Sequence, residues 1–240
     1  MSVPQDEAAQ RRALAAVHRI VARHRWDDLV FNLFTARVPG APEHLLVTPF
    51  PTLASNARAS DMVKVDLDGK PVNGGRIDID GFPLYGAIHK ARPDVTCVLH
   101  VHTTAGVAVS AMADGLLPLS QTAMLVYDDI AYCDYAGIGK GDDEAVDALA
   151  DKNNLILRNH GTVSVGRTVA EAWGRLHVLE AACAIQVAAM SSNAELTSVK
   201  RKVVSSVAQM GTAYLGSGVI DDAWDNMVAL IEREQPDYAQ

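Results

Sequence analysis

Two histidines one residue apart, His100 and His102, close the apolar run CVLHVH. In an extended strand the side chains at i and i+2 leave one face about 6.5–7 Å apart, so both imidazoles point one way while Leu99 and Val101 point the other. Two neutral imidazoles so placed can share one ion. A third nitrogen can come from His160 in RNHG, just past the apolar run NLIL, where Gly161 allows a sharp turn. Three imidazoles leave the charge of zinc, iron or manganese uncompensated and coordination positions open, which is the pattern of a catalytic site. A His-x-His pair alone suits packing or hydrogen bonding at a strand end equally well; the metal reading requires the fold to bring His160 close. Of the other histidines, His18, His24 and His44 read as solvated surface residues, and His89 and His177 as hydrogen-bonded members of helices.

The elements that must position these side chains follow from periodicity. Ala8, Leu14, Val17, Ile20 and Val21 recur at helical spacing, with Arg11, Arg12 and Arg19 mostly on the other side, so the chain opens with an amphipathic helix to about residue 24. DLVFNLFTARVPG and HLLVTPF are short β-rich runs split by a Pro/Gly turn, and MVKVDLDGKPVNGG reads as a strand, an Asp-Gly turn and an edge segment. PLYGAIHKA, with Pro83 in its first turn and Pro93 beyond its end, is a helix leading into the histidine strand. TTAGVAVSAM is a small-residue helix, LPLSQTAMLVYDDIAYCDYAG mixed strand and loop, DDEAVDALADKN a helix and NLILRNHGTVSVG a buried strand. Thr168 and Glu171 form a capping box opening the long helix to Met190, and AWDNMVALIEREQPDY is a last helix with a frayed tail.

Composition removes several classes of function. A length of 240 residues with 49% hydrophobic content suits one substantial core, and no repeat or low-complexity tract interrupts it. The net charge of −8 is dispersed and no basic cluster alternates with aromatics, so no nucleic-acid partner is expected. No segment has the apolar length of a membrane span or a signal peptide, and three scattered cysteines, Cys97, Cys133 and Cys183, fit reduced thiols; the expectation is a cytoplasmic protein with no membrane partner.

From about Trp26 to Met190 the chain resembles the class II aldolase and adducin family. FNLFTARV, GFPLYGAIHKARPDVTCVLHVHT, AVSAMADGLLPLSQTA, ILRNHGTVSVG and EAACAIQV fall in family order. The resemblance implies a three-layer α/β fold with a central, mainly antiparallel sheet flanked by helices. It implies one domain over residues 1–240, with the family core at about 26–190 and a helical segment at 191–240, and a homotetramer with sites near subunit interfaces. It also implies a divalent metal, zinc first and iron or manganese otherwise, held by His100, His102 and His160.

In the family's aldolases a Glu, and in its epimerases an Asp, serves as acid/base nineteen residues before the first metal histidine; here that position is Gly81. Glycine can neither move a proton nor ligate. Asp80 is adjacent and Asp78 close by, and Tyr85 stands where the family commonly has His, so Asp80 and Tyr85 are the candidate catalytic residues; Tyr85 can equally be a buried amphipathic ring. Asn32 matches a family asparagine that holds substrate phosphate and is the candidate substrate-binding residue. The accompanying serine pair falls on Ile79 and Asp80, and an aspartate facing a phosphate dianion is repulsive, so a sugar phosphate is not the expected substrate.

GLLPLSQTA, AYCDY and LRNHGTVSVG are most similar to the adducin-like branch of the family. That branch includes animal adducins without known catalysis and enzymes that oxidatively decarboxylate aromatic oxo and hydroxy acids. The expectation is therefore a divalent-metal-dependent lyase that cleaves a carbon–carbon bond, by retro-aldol reaction or decarboxylation, in a small non-phosphorylated oxo or hydroxy acid. The alternatives are a non-haem Fe(II) oxygenase or oxidative decarboxylase of aromatic oxo acids, and a non-catalytic adducin-like interaction module. The latter's long basic tail has no match in the ending EREQPDYAQ. Tyr214 and Tyr238 lie where a neighbouring subunit's C-terminal segment could reach a site.

Overall fold

The computed structural model describes residues 4–137, 139, 140 and 142–240. In chain order the elements are α1 (Glu7–Arg23), β1 (Phe34–Val38), β2 (Ala41–Val47), β3 (Val63–Asp66), α2 (Pro83–Ala91), β4 (Cys97–Val101), α3 (Thr104–Ser110), α4 (Gln121–Val126), β5 (Ile130–Cys133), α5 (Asp142–Leu149), β6 (Asn154–Leu157), β7 (Gly161–Gly166), α6 (Val169–Ser191), α7 (Arg201–Leu215) and α8 (Gly218–Glu234). The strands form one seven-stranded sheet in the order β3-β2-β1-β4-β7-β6-β5. It is mixed: β5 pairs parallel with β6, and the other pairings are antiparallel.

Strand alternation divides the core between two faces, giving a three-layer α/β arrangement. Phe34, Ala36, Leu46, Cys97, Leu99 and Val101 pack against α1, α6 and α8. Leu45, Val47, Val98, Leu155, Leu157 and Val163 pack against α2 and α5 on the other side. A third cluster, with Val109, Val126, Ile156, Leu179 and Leu215, seals α3, α4 and α7 against α6. Each of these side chains is withdrawn from water, and full burial of one such residue stabilises the fold by about 1.5–3 kcal/mol.

Several helix starts are fixed by side-chain caps, as the free N–H groups of a first turn require. Asp6 Oδ1 accepts from Ala9 N at 2.7 Å, Thr103 Oγ1 from Gly106 N at 2.8 Å and Thr168 Oγ1 from Glu171 N at 3.0 Å. Glu171 reaches back to Arg167 N at 2.9 Å, one residue earlier than a strict capping box would place it.

Along the elements, the structure corrects the following readings of the sequence. QTAMLV within the expected strand-and-loop stretch is helix α4, because Ser120 caps it through Ala123 N at 3.0 Å. NLILRNHGTVSVG is not one strand but the hairpin β6–β7. Arg19, expected on the solvated side of α1, is buried, donating to Ala57 O at 2.9 Å and pairing with Asp237 at 3.0 Å. The C-terminal segment is not frayed: it docks through that ion pair, through Ser60 N donating to Gln240 O at 2.8 Å, and through the buried ring of Tyr238. No helix among the described residues is long and apolar enough to cross a membrane.

Candidate functional site

β4 lies between β1 and β7, with Leu99 opposite Phe34 on one side and His100 opposite Val163 on the other. Leu99 and Val101 enter the α1/α6 layer, whereas His100 turns to the α2/α5 side, where Val98 also packs. His102 follows one residue past the strand. His160 sits in the β6–β7 turn, where Asn159 holds a left-handed φ of 59°. The turn therefore depends on Asn159, a residue type tolerant of that region, and not on freedom at Gly161. Gly161 is required for space: a Cβ there would lie 2.5 Å from Val101 O, 3.0 Å from His102 Cδ2 and 3.2 Å from His100 Cε1.

The three rings converge through their Nε2 atoms. His102 Nε2 is 2.8 Å from His100 Nε2 and 3.1 Å from His160 Nε2, and the remaining separation is 3.4 Å. Among the described residues this is the group of potential metal ligands whose donor atoms all lie within 4.8 Å of one another. His100 Nδ1 faces the carbonyl of Thr162 at 2.8 Å, and because a carbonyl only accepts, that nitrogen carries the hydrogen and leaves Nε2 a bare lone pair. His102 Nδ1 faces Asp28 Oδ2 at 3.3 Å, with the same consequence. Two acceptor nitrogens 2.8 Å apart repel unless a cation lies between them. This donor set fits a divalent ion, and the outer partners on Nδ1 are of the kind that orient metal-binding histidines. Burial lowers the pKa of all three: His100 falls well below the usual value, helped by the two neighbouring rings, His160 falls to about 4, and His102 is lowered less because Asp28 opposes the shift. Neutral imidazoles, ready to donate lone pairs, are thus the resting state near pH 7.

Asp28 is held by a tight turn in which its own N–H donates to Asn32 Oδ1 at 2.6 Å and its carbonyl accepts from Phe31 N at 2.9 Å. Asn32 is buried and lies outside the cavity wall, so its visible role is to fix Asp28; its Nδ2 is buried without a hydrogen-bond partner among the described residues.

The triad opens into a cavity of about 230 Å³. Much of its wall is apolar, from Phe31, Leu33, Leu84, Tyr85, Ala145 and Leu157. Among the described residues its charged groups are Asp28, Asp78, Asp134 and Asp142 against the single cation Lys140. Tyr85 is 2% exposed, its ring 6.4 Å from that of His100, and its hydroxyl is buried without a hydrogen-bond partner among the described residues. Burial, with Asp78 nearby, raises its pKa well above the ordinary phenol value, so it stays protonated.

Asp80 is exposed and does not line the cavity. The chain turns at residues 79–81 and Asp78 faces inward instead, its carboxylate filling the space left by Gly81: a Cβ on Gly81 would lie 3.0 Å from Asp78 Oδ2, and Gly81 N donates to Asp78 Oδ1 at 3.3 Å. Ile79 is 56% exposed. Tyr214 is exposed on α7 and Tyr238 is buried within its own chain, which removes Tyr238 from reach of a neighbouring subunit.

His18 is buried and fully engaged, contrary to the surface reading, and His89 is buried in hydrogen bonds as expected of a helical histidine. Asp28, Thr103, Thr162 and Glu180 have no spacing signal in the sequence.

Comparison with known proteins bears on the family and the fold. Residues 12–187 match the family model described as Class II Aldolase and Adducin N-terminal domain. A Caulobacter vibrioides protein named only for its class, aldolase class 2, is 40% identical over 243 residues, covering 99% of this chain and 94% of its own. Alpha-adducin of Mus musculus is 44% identical over 198 residues, which are 78% of this chain and 26% of that much longer protein. The crystal structure of an aldolase II superfamily protein from Pseudomonas syringae superposes with a TM-score of 0.94 at 40% identity, covering 100% of this chain and 98% of that one.

Proposed function

Because the chain belongs to the class II aldolase and adducin family, we propose that it is a divalent-metal-dependent lyase cleaving a carbon–carbon bond, by retro-aldol reaction or decarboxylation, in a small non-phosphorylated oxo or hydroxy acid. The observation that carries the proposal is the convergence of three neutral Nε2 atoms on one point at the edge of a largely apolar cavity. His100, His102 and His160 hold the ion, zinc before iron or manganese given three nitrogen donors. Such an ion supplies Lewis acidity toward carbonyl and hydroxyl oxygens.

The remaining work falls to the chain's own groups. Asp28 orients His102, and the Thr162 carbonyl orients His100. Asp78, whose carboxylate occupies the place of a residue-81 side chain, accepts the substrate hydroxyl proton. The bond to the adjacent carbon then breaks with its electron pair left on the oxo-acid fragment, and the Tyr85 hydroxyl returns a proton to that carbon; the proton held by Asp78 restores the phenol. Phe31, Leu33, Leu84 and Leu157 exclude water and receive the apolar part of the substrate. Among the described residues, four carboxylates against one lysine make the cavity a poor host for a phosphate dianion.

The same apolar wall favours a second reading, oxidative decarboxylation of an aromatic oxo acid with iron. A converged triad supports either enzyme over an interaction module. The proposal extends to one domain over residues 1–240, a cytoplasmic location and a homotetramer acting on a small molecule. Metal analysis of gently purified protein is expected to find about one equivalent of zinc. Less than about a tenth of an equivalent of any divalent ion, with no rebinding, would overturn the reading. Turnover of an oxo-acid panel under argon supports the lyase, and strict oxygen dependence supports the oxygenase.

A further inference from the structure

Glu180 lies in the middle of α6, 2% exposed and without an ion pair among the described residues. Its two carboxylate oxygens are divided between two strands' ends: Oε2 accepts from the hydroxyl of Thr103 and Oε1 from that of Thr162. Thr103 follows His102 directly. Thr162 follows His160 by two residues, and its carbonyl receives Nδ1 of His100 at 2.8 Å. Thr162 also pairs with Val101, whose side chain enters the α1/α6 layer, so the carboxylate grips both segments from the face opposite His100.

We infer, on the reading of the triad as a metal centre, that Glu180 is its positioning residue, a buried brace that holds the His100–His102 segment and the His160 turn at one separation. The requirement is for two acceptors at once. Thr103 Oγ1 already accepts from Gly106 N at 2.8 Å as the cap of α3, so its single proton must go to an acceptor, and the Thr162 hydroxyl donates to the same group. A carboxylate offers an acceptor to each, whereas an amide would turn its NH2 toward one of them. Among the described residues no cation pairs with this carboxylate, so its burial is costly and the two hydroxyl donors are what offset it. Space has been cleared for the brace: a Cβ at Gly106 would lie 2.8 Å from Glu180 Oε1 and 3.0 Å from Thr103 Oγ1.

The test is Co(II) titration of the full-length protein, read both as affinity by chelator competition and as the position of the visible d–d band. Glu180→Ala is expected to weaken Co(II) by at least about tenfold and to shift the band, as loss of outer-shell support does. Glu180→Gln, which keeps one acceptor, and Thr162→Val, which removes one arm with little change of shape, should each lose less but at least about threefold. Leu179→Ala, fully buried on the next position of the same helix, is the control: it loses stability and binds Co(II) like the wild type. Glu180→Ala binding within about twofold of wild type with an unshifted band overturns the inference. If that variant does not fold, wild-type binding by Glu180→Gln and Thr162→Val overturns it equally, and so does an equal loss in Leu179→Ala. A wild-type protein that binds no Co(II) removes the metal centre itself and the brace with it, whereas wild-type binding with indifferent Glu180 variants removes the brace alone.

Discussion

Two kinds of buried histidine occupy this fold. His18 spends both ring nitrogens: Nδ1 donates to Leu14 O at 2.6 Å and Nε2 meets the Thr48 hydroxyl at 2.8 Å. His89 is similar, with Nε2 at 2.9 Å from Thr35 Oγ1 and Nδ1 facing Arg37 Nη2 at 3.4 Å. At His100 and His102 one nitrogen is spent on the protein and the other is aimed at a like atom. Burial lowers the pKa in both classes, to about 4 for His18 and about 3 for His89, so titration does not tell them apart. What separates them is completion. A histidine whose partners are all present is part of the packing; one whose second nitrogen meets only another lone pair lacks a ligand.

The sharpest way to break this contrast is to exchange consequences. His100→Ala should abolish metal retention, leaving less than about a tenth of an equivalent after dialysis, while metal-free stability changes little because a repulsive contact has been removed. His18→Ala should do the reverse: full metal content with a loss of about 3 kcal/mol on denaturant unfolding, from the cavity and the lost hydrogen bonds to Leu14 O and Thr48 Oγ1. If both variants lost metal equally, the distinction would be false.

Next in size is the contrast between the inward and outward carboxylates on either side of Ile79. Asp78→Asn is expected to lower turnover by about 10²–10⁴-fold with metal content unchanged, and Asp80→Asn to leave turnover as it was. Parallel rates in the two variants, or a deficit confined to Asp80→Asn, would remove Asp78 from its role.

What was legible beforehand follows the same division between local and assembled features. Period-two alternation put Leu99 and Val101 on one face and His100 on the other, because a strand's geometry is local. The Thr168 cap was legible for the same reason. Arg19 was not, since its partners Ala57 and Asp237 are distant in sequence and reach α1 only in the folded chain. Asp28 escaped because its link to His102 crosses 74 positions. The turn at His160 was read from glycine's freedom, yet the strained φ belongs to Asn159 and Gly161 answers a crowding that no local pattern reveals. Asp80 was favoured over Asp78 by adjacency to Gly81, whereas a hydrogen bond across three residues decided which carboxylate turned inward.

Acid sharpens the contrast further. His18 is neutral when folded to about pH 4 but takes up a proton near 6.5 when unfolded, so the unfolded chain binds protons first as pH falls. Stability is therefore lost between about pH 6.5 and 4, by about 3 kcal/mol from this residue. Metal-free His18→Gln should show a correspondingly flatter dependence than metal-free wild type across that window in urea unfolding. An unchanged slope would mean that His18 is not held neutral by the fold.

The smallest expected effect probes how a ligand differs from its support. Asp28 is half-exposed and 3.3 Å from His102 Nδ1, at the long end of a hydrogen bond, so its contribution is orientation rather than the lone pair itself. Asp28→Asn keeps an acceptor oxygen and the backbone turn with Asn32, but it loses the charge that opposes the lowering of the His102 pKa. The imidazole then becomes a weaker base and a weaker donor, and Zn(II) affinity should fall by about tenfold, equivalent to about 1.4 kcal/mol, with one equivalent still bound at saturation. Asn32→Ala should weaken binding in the same direction by releasing the turn that carries Asp28. A stoichiometric loss in Asp28→Asn, as large as that of His100→Ala, would make Asp28 a ligand and the site a three-histidine, one-carboxylate centre, which has fewer open positions and a smaller net charge than three imidazoles alone.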